Sequence, residues 1–302
     1  MSAATPRPGA LRTVGAILAD IRFEQTLFSL PFLLLSAIVA SGGWPAARTL
    51  GLIVVALAGA RSAAMAVNRA ADARYDARNP RTAGRAVPSG RVSRVAMGAF
   101  AVVALGVFLA AAAALNPLCL ALSPVALLFL VGYSWTKRFT ALCHLWLGTT
   151  IGIAPLGAWA AVRGSFAAGL VTPPHPAAPW LLAAGVACWV AGFDVIYACP
   201  DAPTDRGEGL HSIPRLLGVE RAFLVARALH VGALAAFAAA GAAAGLGPAW
   251  WGGLALGAAI LVVEHRLVGP GRYERMGVAF FRLNAVFAAV LLAAGAADVL
   301  AH

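Results

Sequence analysis

The chain has 302 residues, is 61% hydrophobic and 12% charged, and has a mean hydropathy of +0.82. A soluble domain carries roughly twice that share of charge, so a soluble fold is excluded. The net charge of +11 would suit a nucleic-acid partner. The basic residues instead lie in loops between apolar runs, which argues against one.

Nine apolar runs can be drawn, at roughly 25–42, 49–67, 95–115, 117–135, 144–163, 180–199, 221–243, 248–264 and 277–298. Each is long enough for a hydrocarbon core of about 30 Å. None alternates with the period of two that a membrane barrel requires. The expected fold is all-α, a polytopic bundle of about nine transmembrane helices. Residues 1–20 read as a cytoplasmic tail and 21–302 as a single membrane domain. Arg7 and Arg12 are followed by the charged stretch "DIRFEQ", not by a cleavable apolar core, so the first run is expected to remain in the protein.

Charge sets the expected orientation. With the N-terminus in the cytoplasm, inner loops hold nearly all the arginines, and only Arg48 and Arg163 fall outside. The abundance of Ala, Arg and Gly suits a high-GC bacterial genome, hence a bacterial inner membrane. Cys119, Cys143, Cys188 and Cys199 show no metal or disulfide spacing and read as small buried hydrophobes.

Only twelve residues are acidic, and five of them gather at the inner ends of two runs. Asn68, Asp72 and Asp76 close the second run; Asp194, Tyr197, Asp201 and Asp205 close the sixth. Both read polar-xxx-Asp-xxx-Asp, which suggests a four-span internal repeat with a ninth span added. Positions i, i+4 and i+8 share one face of a helix. Two carboxylates and an amide oxygen on such a face suit Mg²⁺, a hard cation commonly held by carboxylates together with substrate phosphates. Pro200 and Pro203 forbid one undisturbed helix through the second motif, so a loop is expected to bring Asp201 and Asp205 together. Arg81 and Arg85 in "RTAGR" are candidates for phosphate, since guanidinium forks grip phosphate oxygens. Lys137, the one lysine in the chain, stands with Arg138 in a short inner loop and joins them.

"NRAADARYD" with "RTAGRAVPSG", and "FDVIYACPDAPTD" with "RGEGLHSIP", resemble the paired motifs of the UbiA superfamily of intramembrane prenyltransferases. "IRFEQTLFSLPF" and "KRFTALCHLWLG" are similar to that family as well. The resemblance runs from about residue 20 to 300 and is nearest the 4-hydroxybenzoate polyprenyltransferase branch, which includes relatives acting on 1,4-dihydroxy-6-naphthoate on the futalosine route to menaquinone. It implies a nine-helix bundle in which Asn68, Asp72, Asp76, Asp201 and Asp205 hold Mg²⁺ and an isoprenyl diphosphate, with Arg81, Arg85, Lys137 and Arg138 on the diphosphate. The implied reaction is prenylation of a small aromatic acceptor, with Asp72, Asp201 and Asp194 catalytic. Arg22, Asp194 and Tyr197 would meet the acceptor. Haem, chlorophyll or glycerol-lipid acceptors suit the same donor site, and a transporter is the alternative from another class.

Overall fold

A computed structural model describes residues 10–21, 29–167 and 175–301. Among them the structure is helical throughout, with one isolated bridge between Gly269 and Arg272. In chain order the helices are α1 (Ala10–Asp20), α2 (Leu30–Ser41), α3 (Ala47–Asp76), α4 (Arg94–Leu115), α5 (Pro117–Thr136) and α6 (Cys143–Arg163). Then come α7 (Ala178–Ala198), a 3₁₀ turn (Cys199–Asp201), α8 (Ala202–Gly207), α9 (Ile213–Leu217), α10 (Val219–Ala244), α11 (Pro248–Leu267), a π-helical segment (Val278–Leu283) and α12 (Asn284–Leu300).

Among the described residues seven helices are long and apolar enough to cross a membrane: α3 to α6, α7 with its continuation to Gly207, α10, and Val278–Leu300. The other two drawn runs correspond to α11 and to α2, a helix of twelve residues. Local chemistry sets the ends. Ser93 and Asn116 accept backbone N–H groups at the starts of α4 and α5, where Pro117 also fits because no intrahelical donor is needed. Gly245 ends α10 in the left-handed region at φ 69°, which a Cβ would disfavour.

The expected N-terminal tail contains α1, which packs on the bundle. Ile17 and Ile21 are buried against Ala66, Ala86, Val92 and Met97. The carboxylate of Asp20, at the end of α1, accepts the Ala86 N–H at 2.9 Å and meets Arg69 of α3 at 3.3 Å.

The most extensive helix pairings are α3 with α4 and α7 with α10, equivalent pairs in the two halves of the suggested repeat. Small residues permit them: a Cβ on Gly59 would fall 2.8 Å from the backbone nitrogen of Phe108 on α4. The halves differ in filling. Around α7, α10, α11 and α12 the centre is a solid cluster in which Phe32, Trp189, Phe237 and Phe287 stack or tilt at 5.1–6.5 Å. Between α3, α4, α5 and α6 the helices enclose an apolar cavity of about 430 Å³.

Candidate active site

Helix α3 runs unbroken through its polar end, so the helical period places Asn68, Asp72 and Asp76 in one row. The Asn68 amide donates to Asp72 Oδ2 at 2.8 Å within that row. The second motif is built differently from expectation. No loop joins Asp201 to Asp205: the helix tightens into the 3₁₀ turn at Cys199–Asp201 and resumes as α8. Pro200 and Pro203 fall in the first positions of these two segments, where the missing N–H costs least. The chain therefore bends without unravelling, and the carboxylates stay one turn apart.

Each of these four carboxylates is paired with one of the four cations expected at phosphate. Arg138 Nη2 meets Asp72 Oδ1 at 3.2 Å, and Arg85 Nη1 lies 2.7 Å from both oxygens of Asp76. Arg81 forks onto Asp201, its Nε at 3.1 Å and its Nη2 in short contact with the other oxygen. Lys137 Nζ lies 2.7 Å from Asp205 Oδ1, and the Ser212 hydroxyl donates to Asp205 Oδ2 at 2.8 Å. The pairing is crossed. Arg81 and Arg85 come from the loop after α3, yet one serves each acid cluster. Lys137 and Arg138 come from the turn after α5 and are divided the same way.

Burial alone would lower the pKa of Arg81. The charge of Asp201 and the neighbouring Tyr197 outweigh it, so the guanidinium is held above its ordinary value. Arg81 lies 4.7 Å over the Tyr197 ring, which itself stacks on Phe280 at 4.2 Å.

A polar chamber of about 380 Å³ lies beside these pairs, with Asn68, Arg81, Arg85, Asp194, Tyr197 and Phe280 in its wall. Asp72, Asp76, Asp201 and Asp205 do not line it; each is paired with its cation. The chamber and the apolar cavity share Arg61, Met65, Tyr133, Leu147 and Ile151 in their walls, so they adjoin. A charged chamber and an apolar cavity thus lie side by side across a common wall.

Among the described residues no three His, Cys, Asp or Glu side chains converge tightly enough to hold an ion as placed. The donor chemistry still fits Mg²⁺. Every candidate ligand in the two rows is an oxygen, and no thiolate or imidazole competes among them. Exchange of partners is what binding would require, with carboxylates turning to the metal and the freed cations to phosphate oxygens.

Arg22 lies outside the described residues. Asp194 does face the chamber, and its partner is one the sequence did not single out: His144 Nδ1, 2.7 Å from Asp194 Oδ2. A signal for it existed. An acid inside an apolar run must be paired, and His144 is a buried polar residue in the first turn of α6. Asn79, whose amide donates to Asp201 Oδ1 at 3.2 Å, and Tyr133 in the chamber wall were also missed.

The sequence matches the UbiA prenyltransferase family over residues 29–297. It is 30% identical to a 4-hydroxybenzoate octaprenyltransferase of Shewanella piezotolerans, over 85% of this chain and 86% of that one. A protein of the same description from Alkalilimnicola ehrlichii is 34% identical, over 82% and 80%. Among solved structures, the apo form of a UbiA homologue from Aeropyrum pernix K1 is 35% identical with a TM-score of 0.81, covering 92% of this chain and 99% of that one. A UbiA homologue from Archaeoglobus fulgidus bound to GPP and Mg²⁺ shares the fold at 16% identity, with a TM-score of 0.62 over 94% and 99%. With the family matched over residues 29–297, a charged chamber beside an apolar cavity, and the spans to cross a bilayer, the chain belongs to the UbiA prenyltransferase family and is an intramembrane prenyltransferase.

Proposed function

We propose that the chain transfers a polyprenyl group from an isoprenyl diphosphate to a hydroxylated aromatic carboxylate, of the 4-hydroxybenzoate or 1,4-dihydroxy-6-naphthoate type, in quinone biosynthesis. The reaction would take place at the cytoplasmic face of a bacterial inner membrane. The observation that carries this is the crossed pairing of four carboxylates with four phosphate-seeking cations beside an adjoining apolar cavity. A diphosphate with a long hydrocarbon tail has that shape and polarity. Relatives named for 4-hydroxybenzoate supply the acceptor class.

Asn68, Asp72, Asp76, Asp201 and Asp205 would hold Mg²⁺, as the Mg²⁺-bound neighbour suggests for this fold. When bound, the metal supplies Lewis-acid neutralisation of the leaving diphosphate. Arg81, Arg85, Lys137 and Arg138 bind the diphosphate oxygens and take up the charge that builds as the C1–O bond breaks. Its electron pair leaves with diphosphate. The apolar cavity holds the tail; each buried methylene is worth about 0.8 kcal/mol. That lining also keeps water from the allylic carbon. The acceptor lies against Tyr197 with its hydroxyl at Asp194. As the ring carbon ortho to that hydroxyl bonds to C1, Asp194 accepts the hydroxyl proton. Loss of the ring proton and return of the hydroxyl proton from Asp194 restore aromaticity, so one proton is released with the diphosphate. Arg22 is the proposed partner of the acceptor carboxylate.

The test is prenylation in detergent or bilayers with labelled farnesyl or geranylgeranyl diphosphate, offering 4-hydroxybenzoate and 1,4-dihydroxy-6-naphthoate separately. Product formation should need Mg²⁺, vanish with EDTA, and fall about 10³-fold or more in Asp72→Ala and Asp201→Ala. The preferred acceptor assigns the substrate. Binding of the donor without transfer to either acceptor would overturn the acceptor assignment. Failure to bind any isoprenyl diphosphate would overturn the whole reading.

A further inference from the structure

We infer that His144 is a positioning residue for the acceptor: it orients Asp194 toward the aromatic hydroxyl and ties that carboxylate to the segment bracing Asp205. The inference rests on the proposed role of Asp194 at the acceptor.

Hydrogen-bond polarity around the ring carries it. The backbone N–H of Ile213 reaches His144 Nε2 at 3.4 Å. A backbone amide can only donate, so Nε2 presents its lone pair. The proton then resides on Nδ1, which lies 2.7 Å from Asp194 Oδ2. His144 therefore donates to the carboxylate, stabilises its ionised form and fixes its rotamer, leaving the second oxygen for a ligand in the chamber. About a fifth of the Asp194 side chain is exposed there, while the His144 side chain is 3% exposed. His144 is thus too enclosed to meet substrate itself. Cys143 on α6 lies beside His144, and Tyr133 on α5 lies beside Asp194.

The far side of the ring gives the second half of the inference. Residues 211–213 touch three parts of the site in succession. The His211 N–H donates to the Lys137 carbonyl at 2.6 Å, and the Ser212 hydroxyl donates to Asp205. Ile213 then meets His144. The groups assigned to diphosphate are thereby linked to the group assigned to the acceptor through one short segment and one imidazole. A donor that reorders Lys137 and Asp205 would act on Asp194 through the same contacts. This favours acceptor activation when donor is present, a useful order where an allylic cation must meet its nucleophile promptly.

The test compares His144→Phe, which fills the space but removes both hydrogen bonds, with His144→Asn, whose amide can donate in place of Nδ1. Asp194→Asn is run in parallel. Binding of farnesyl diphosphate with Mg²⁺, followed by thermal shift, reports the fold and the donor site without turnover. His144→Phe should lower kcat/KM for the acceptor about 100-fold, while the donor KM and the donor affinity read from the thermal shift change by about threefold at most, the reciprocal of the coupling. His144→Asn should recover to within about tenfold of wild type. Equal losses in both His144 variants, or a donor KM that moves as far as the acceptor term, would show a packing role and overturn the inference. Failure of His144→Phe to fold, with His144→Asn no better than Asp194→Asn, would overturn it as well. The two readings separate cleanly. Wild-type turnover in Asp194→Asn would remove the acceptor role of Asp194, whereas an inactive Asp194→Asn beside a fully active His144→Phe would remove only the role of His144.

Discussion

The two acidic clusters serve one chamber but are held in place by different physics. Asn68, Asp72 and Asp76 lie on an unbroken helix, so backbone hydrogen bonding alone puts them in a row. Asp201 and Asp205 follow two prolines and a 3₁₀ turn, and long-range partners fix them: Arg81 and Asn79 for Asp201, Lys137 and Ser212 for Asp205. The first row needs little beyond its own helix. The second adds contacts from distant parts of the chain to its local turn. What unites them is the pair of cation-bearing loops, each of which supplies one partner to each cluster.

That comparison would break most visibly if the clusters acted independently. Asp72→Asn and Asp205→Asn should each lower kcat by about 10³-fold. If the clusters form one clamp, the double variant should fall little further, because groups that act as a unit lose their effect at the first deletion. A multiplicative loss near 10⁶-fold would mean two separate sites.

Contact geometry sharpens the comparison next. Arg81 addresses both oxygens of Asp201, whereas Arg138 reaches Asp72 through Nη2 at 3.2 Å. Lysine cannot reproduce a fork. Arg81→Lys should therefore raise the KM for isoprenyl diphosphate about tenfold, and Arg138→Lys by about threefold at most. Since Asp201 raises the pKa of Arg81, the residue stays charged throughout the working range. The Arg81→Lys penalty should thus be flat with pH from about 6 to 9. A penalty that shrank as pH rose would show that Arg81 titrates there.

The same contrast explains what could be read from the sequence. The nine apolar runs found their helices within a few residues in most cases, since hydrophobic length is the membrane's own criterion; α4 at Arg94–Leu115 and α5 at Pro117–Thr136 show this. Helix α3 overshot its run by nine residues, to Asp76, because its polar end stays helical beyond the apolar stretch. The first acid row was legible because period is a local property. The partners were not. Arg81 and Asp201 are 120 residues apart, and nothing in either neighbourhood names the other. His144 stands 50 residues from Asp194 with no local pattern to connect them, although an acid within an apolar run requires a partner. Pro200 and Pro203 announced a break correctly but suggested a loop, where placement at helix starts allowed a bend.

The smallest effect tests the dependence of the second cluster on its props. The Ser212 hydroxyl donates to Asp205 Oδ2 and also accepts the Arg215 N–H at the start of α9. Ser212→Ala removes both bonds, leaving Asp205 with Lys137. A buried hydrogen bond to a charged group contributes about 1.5–3 kcal/mol, and part of that is recovered if water takes its place. The expected loss in kcat/KM is about fivefold, mostly in the KM for isoprenyl diphosphate. The fitting control in the first cluster is Thr82→Val, since Thr82 bonds the Asp76 backbone carbonyl at 3.0 Å and not its carboxylate. That change should leave the donor KM within about twofold, because the helix already fixes Asp76. Comparable KM shifts in the two variants would mean that the first row leans on its surroundings as heavily as the second.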